Sequence, residues 1–274
     1  MIHSVHHLSI ATADPDGAAR DYELLLGRKP DGAFEAEGAR QIWFSTSNLR
    51  LAIVSPTGEG PTGEAARTRL ADKGEGLWEI AFGVADLSAT MKLFERRALA
   101  PGAVFARSVQ ARNKAEPLRA SRLGAWTSHG LDIVLVEAPK HAGEKGAQAG
   151  MSGLDHVVIR TPDPGRAVEF FGGRLGLDMR LDRTNPAWGA RLIFFRCGDL
   201  VVEIVHELKA GVGDGPDAFG GLSWRANDLE AARTRLMEAG VDLSEIRTGR
   251  RPGSQVCTMR DRTHGVPTIL LGLS

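Results

Sequence analysis

His7, Glu79, His156 and Glu203 lie in short stretches where apolar residues alternate with others, the period of a half-buried strand. In V-V-E-I-V-H-E, Val202 and Ile204 face one way, and Val201, Glu203 and Val205 face the other. Ile80, Phe82 and Val84 likewise leave Glu79 and Ala81 on the opposite face, and Val157 and Ile159 leave His156 there. A carboxylate on an apolar face is costly unless a cation or donor stands beside it. Histidine combined with carboxylates suits a borderline or hard divalent ion, such as Zn, Mn, Fe, Ni or Co, over a thiolate-bound one.

The elements that would position these groups repeat. V-H-H-L-S-I-A-T-A-D-P-D-G-A-A-R-D-Y-E-L-L-L-G, from Val5, returns as L-D-H-V-V-I-R-T-P-D-P-G-R-A-V-E-F-F-G-G-R-L-G, from Leu154. His7 aligns with His156, Asp14 with Asp163, Tyr22 with Phe171 and Gly27 with Gly176, all at one offset. Such a repeat marks a duplicated fold. Each half subdivides again, because residues 78–87 and 222–229 carry the same plan, so units begin near residues 5, 77, 154 and 221.

Each unit reads as a strand, a helix and three short strands. Asp14-Pro15 is a helix start, with an Asp cap and Pro in the first turn, and Gly27 is its stop. Residues 41–45 and 50–54 form a strand pair, as do 191–195 and 200–205. The Gly-, Pro- and Thr-rich link 55–76 holds a short helical piece over 64–70. The expected organisation is an N-terminal domain over 1–139 (units about 1–55 and 76–138), a linker over 140–152, and a C-terminal domain over 153–274 (units about 153–208 and 221–274).

With 34 basic and 34 acidic residues the chain has no net charge, which argues against nucleic acid or an anionic membrane as partner. No apolar run is long enough to span a bilayer. Cys197 and Cys257 form no metal or redox motif, and two thiols without a leader pattern suit the cytoplasm. A monomer and a homodimer are both compatible with four units in one chain.

The D-H-V-x-I-x-x-x-D opening, the L-G-L helix end and the V-E-I-V-H-E strand together resemble the vicinal oxygen chelate superfamily. That group includes glyoxalase I, extradiol dioxygenases, methylmalonyl-CoA epimerase and resistance proteins. The resemblance implies an α+β fold of four tandem βαβββ units forming two cupped, barrel-like mixed sheets. It also implies metal ligands on first strands, here His7, Glu79, His156 and Gly221, and on last strands, here Ala52, Val134, Glu203 and Ile269.

Pairing of units two and three would gather Glu79, His156 and Glu203 in one cup, and is preferred on that ground. Pairing within halves would split them into His7 with Glu79 and His156 with Glu203. Blander roles stand beside these: His7 hydrogen-bonded in an empty cup, His156 paired with Glu203 or Arg160, and Glu79 bridged to an arginine. His206, His129 and His264 are expected in solvent near strand ends or turns.

The implied activity is that of a metal-dependent lyase or isomerase acting on a small oxygenated substrate, with Glu79 or Glu203 moving the proton. Arg160 and Arg225 offer anion contacts, and Trp224, with Trp43 and Trp188, offers stacking. A non-catalytic small-molecule binder is the alternative, because Ala52, Val134 and Ile269 are apolar. An extradiol dioxygenase is disfavoured, since Tyr22 is the only tyrosine and lies on the first helix.

Overall fold

The computed structural model describes residues 1–111, 114–139 and 150–273. Its strands form two eight-stranded mixed sheets. The first has the order β2-β3-β4-β1-β5-β8-β7-β6, from β1 (Ile2–Ala11), β2 (Gly32–Ala36), β3 (Ala39–Ser45), β4 (Arg50–Pro56), β5 (Gly76–Val84), β6 (Pro101–Ala111), β7 (Lys114–Leu123) and β8 (Asp132–Glu137). The second repeats it as β10-β11-β12-β9-β13-β16-β15-β14. Its strands are β9 (Met151–Arg160), β10 (Asp178–Asn185), β11 (Ala190–Cys197), β12 (Leu200–Glu207), β13 (Ala218–Ala226), β14 (Arg247–Thr248), β15 (Ser254–Met259) and β16 (Thr268–Leu273).

Units therefore pair within each half, and the preferred pairing of units two and three is corrected. The opening strands decide it: β1 runs antiparallel to β5, and β9 to β13, along nearly their whole lengths. Strand order within a sheet depends on contacts between distant segments, which a local pattern does not encode. Of the expected linker, residues 140–149 lie outside the described residues, and 151–152 already belong to β9.

Local signals set the helices. In α1 (Pro15–Leu26), Asp14 accepts from the Gly17 amide, and Gly27 closes the helix at φ 67°. Asp86, Asp163 and Asp228 cap α3 (Leu87–Arg96), α4 (Pro164–Val168) and α5 (Leu229–Glu238) in the same way. After α4 the third unit continues as a π-helical stretch, Glu169–Arg174, which carries Phe170 and Phe171 into the core. One apolar core joins the helix-bearing faces of both sheets, including Leu8, Ile80, Val157, Val202 and Trp224.

The other faces differ. Over the first sheet, the link that follows β4 folds into α2 (Pro61–Lys73), longer than the helical piece expected, and its Ala66 packs with Trp43, Ala52, Val54 and Trp78. The corresponding link of the second half makes only a single turn, Leu208–Ala210. Two histidines expected in solvent are tied down. His206 is 5% exposed and hydrogen-bonds the Thr161 carbonyl, and His264 reaches Asp21 across the halves at 2.9 Å. His129 stands edge-on to Phe170, and partial burial lowers its pKa.

Candidate active site in the C-terminal cup

The first sheet brings His7 and Glu79 together, but in a closed ionic knot. Both are wholly buried, with Nε2 of His7 3.5 Å from Oε1 of Glu79. Arg107 donates to Glu79 Oε1 at 2.9 Å, Arg122 to Oε2 at 2.8 Å, and Ser9 Oγ to Oε1 at 3.2 Å. Arg122 also binds Asp132, and Arg107 reaches Thr62 at the start of α2. Burial alone would raise the Glu79 carboxyl, but the two guanidiniums, with His7, hold it far below the ordinary range. Burial lowers the His7 pKa, which favours the neutral ring. The expected cation beside Glu79 is thus arginine, and two guanidiniums already compensate its charge.

The second sheet brings His156 and Glu203 together. Register places His156 opposite Val201 on β12 and Ser223 on β13, with Glu203 opposite Val158. His156 Nε2 lies 3.0 Å from Glu203 Oε2, and the two side chains are 19% and 9% exposed, so this pair opens to the cup. On the other side of the ring, Nδ1 lies 3.0 Å from Asp155 Oδ2. Arg225 donates to Asp155 at 3.0 Å and to Asp199 at 2.9 Å.

Asp155 was not foreseen as a site residue, because strand alternation sends it to the face opposite His156. The pairing His156↔Ser223 is followed by Leu154↔Trp224, so Asp155 is the extra residue of a β-bulge and swings beside its neighbour. A bulge at the same place in β1 sets His6 Nδ1 2.8 Å from His7 Nδ1. Nothing in a single sequence announces such a slip.

The charges follow from these contacts. Burial would raise Asp155, but bonding to His156 and Arg225 holds it at about 2. Burial raises Glu203, and His156 and Arg250 only partly oppose it. Two carboxyl groups thus face the two nitrogens of one imidazole. Nδ1 is hydrogen-bonded to Asp155, and Nε2 stands at ion-pair distance from Glu203.

The remaining expected residues divide. Trp224 is wholly buried in the core on the helix-bearing face, so its assignment to the cup is corrected; the bulge and alternation turn it inward. Arg225 braces Asp155, as described. Arg160 shares the cup face of β9 with His156 and Val158 and is exposed. Ser223 was missed: its hydroxyl is buried without a partner, at the position paired with His156.

The fit of a resident divalent ion can be judged from the donors. At Gly221, φ is 145° and an added Cβ would stand 2.3 Å from the Pro267 carbonyl oxygen, so no side chain can project there. Ile269, opposite Ser223, offers no donor atom. His156 and Glu203 remain, and among the described residues no group of three or more His, Cys, Asp or Glu is arranged to hold a metal. Two donors do not fit a resident ion of the expected kind.

Residues 6–112 and 155–258 match the model of the Glyoxalase/Bleomycin resistance protein/Dioxygenase superfamily. An ethylmalonyl-CoA/methylmalonyl-CoA epimerase of Cereibacter sphaeroides is 29% identical over 99 residues, 32% of this chain and 71% of that protein. Among solved structures, a mutant 4-hydroxymandelate synthase from Streptomyces coelicolor superposes with a TM-score of 0.75 at 15% identity, covering 100% of this chain and 94% of that one. A Mn(II)-bound glyoxalase from Novosphingobium aromaticivorans gives 0.68 at 15% identity, covering 99% and 82%. These two likenesses concern the fold.

Proposed function

Since the chain belongs to the Glyoxalase/Bleomycin resistance protein/Dioxygenase superfamily, we propose that its C-terminal cup binds a small oxygenated substrate and moves a proton on it, as an isomerase or lyase does. The observation that carries this reading is the open His156–Glu203 pair, braced from behind by Asp155 and Arg225. Family members hold divalent metals, as the Mn(II)-bound glyoxalase does. The donors here do not fit one, so the chemistry is assigned to the side chains.

With a proton on Nε2 of His156, Glu203 is a carboxylate able to accept a proton from a carbon beside a carbonyl. The C–H electron pair moves toward the carbonyl oxygen, which accepts a hydrogen bond from the imidazolium or from Ser223. Glu203 becomes neutral, the form its burial favours. Return of the proton to the same carbon on its other face, or to a neighbouring atom, completes an isomerisation without a co-reactant.

The test is washing of solvent deuterium into substrate, read by proton NMR. Suitable probes are 2-oxo acids and α-branched acyl-CoA thioesters, the latter because of the related epimerase. Exchange lost in Glu203→Gln and His156→Gln supports the reading. Stoichiometric metal in protein purified without added ions, lost on His156→Ala, would move the chemistry to a metal. Saturable binding without exchange would favour sequestration, a role suited to the apolar Ile269 and Val158 beside the pair.

A further inference from the structure

Beyond the proton-moving pair, we propose that Arg183, Arg250 and Trp188 form an anion-recognition site at the closing seam of the C-terminal cup. It would take the carboxylate or phosphate of the bound molecule. The inference rests on the reading of that cup as a ligand site and adds a substrate class, a small molecule with an anionic end.

The seam is where side chains from the two ends of the strand order meet. β10 and β14 are its outermost strands. Trp188 ends the turn Pro186–Trp188 that follows β10, and Arg250 lies in the loop between β14 and β15. The Arg250 guanidinium nevertheless stands 5.0 Å from the indole centroid, so loops at the two ends of the strand order meet through these side chains. Arg183, on β10, stands 5.1 Å from the same ring.

Two cations on one indole are an unusual arrangement, and their charges repel. Neighbouring arginines are neutralised: Arg180 by Asp178, Arg191 by Asp182, and Arg225 by Asp155 and Asp199. Arg183 and Arg250 make no hydrogen bond or ion pair with a carboxylate among the described residues. An arriving anion would supply the missing charge and could take paired donors from each guanidinium.

Register aims this site at the reactive pair. Arg183 is opposite Leu192, Leu192 opposite Val205, and Val205 opposite Arg160, so both arginines sit on one row of the sheet. Glu203 occupies the next row on the same face, two residues along β12 and two strands in from Arg183, so the two backbones are about 12 Å apart. The charge of Arg250 also acts on Glu203. An anionic group held at the seam and a reacting carbon at His156 and Glu203 therefore belong to opposite ends of one elongated molecule.

Tryptophan fluorescence of the full chain, titrated separately with inorganic phosphate and with malonate, tests this. Saturable change with either anion is expected, and the better binder identifies its source. Trp188→Phe should abolish the signal, and Arg183→Gln and Arg250→Gln should each weaken binding about tenfold. Arg183 and Arg250 are exposed and Trp188 is half-buried in a turn, so the fold should survive, as near-UV circular dichroism would show. Binding should persist in His156→Gln/Glu203→Gln, which separates this site from the proton-transfer reading. No saturable change with either anion, or unchanged affinity in both arginine variants, would overturn it.

Discussion

Arg107 Nη2 lies 2.9 Å from Glu79 Oε1, with both side chains sealed from solvent, and this ion pair closes the N-terminal cup. In the other half His156, the counterpart of His7, stands beside Glu203, whose own counterpart is Ala52, and the His156 ring is partly exposed. Duplication kept the scaffold twice and left arginines around a buried carboxylate in one cup and a histidine beside a carboxylate in the other.

Glu79→Ala would leave Arg107 buried without its carboxylate and Arg122 with Asp132 alone. Breaking a buried pair from one side costs about 3–5 kcal/mol. Urea unfolding should show that loss, while anion binding by the C-terminal cup stays unchanged at denaturant-free conditions.

Acid should unfold the protein partly through the same group. The Glu79 pKa is depressed in the folded state, so its contribution is complete above the ordinary Glu value of about 4.3 and is lost as pH falls toward the folded value. Glu79→Gln should flatten the acid limb of a stability–pH curve. Glu203 has the opposite sign, because its pKa is raised. Its contribution is present at low pH and is lost as pH rises from the ordinary value through the folded one. Glu203→Gln should remove that decline.

Substitution in the open pair should act on turnover more than on folding. Loss of the base in Glu203→Gln should lower deuterium exchange by about 10²–10⁴-fold. Asp155→Asn, which loosens the ring from behind, should cost about tenfold or more and shift the pH profile of exchange, with Arg225→Gln acting in the same direction.

Gly221→Ala should be destabilising well beyond the norm for an exposed glycine. The backbone sits at φ 145° and the new methyl would meet the Pro267 carbonyl oxygen at 2.3 Å. Strain of about 1–3 kcal/mol is expected, read as a lowered midpoint in thermal unfolding.

Cys197 and Cys257 should be inert. Burial pushes their thiols up to about 12 and about 11, so little thiolate exists at pH 8. Alkylation followed by mass spectrometry should label neither in the native protein and both after denaturation.

Much of this was legible in the chain. Asp14, Asp86, Asp163 and Asp228 mark helix starts because a short carboxylate caps free amides wherever it occurs. Alternation placed His7, Glu79, His156 and Glu203 on the faces away from the helices. It failed at Asp155 and Trp224, where a one-residue bulge and core packing decide the direction of side chains.

The sequence by itself determined the four-unit repeat, the α+β class and the residues able to hold or move charge. These rest on periodicity, capping and residue type, all local properties. Tertiary structure alone decided that units pair within halves, that Arg107 and Arg122 reach Glu79, and that Arg250 meets Trp188 across the seam. Those contacts join residues far apart in the chain, and which distant groups share a buried space depends on how the whole sheet curls and closes.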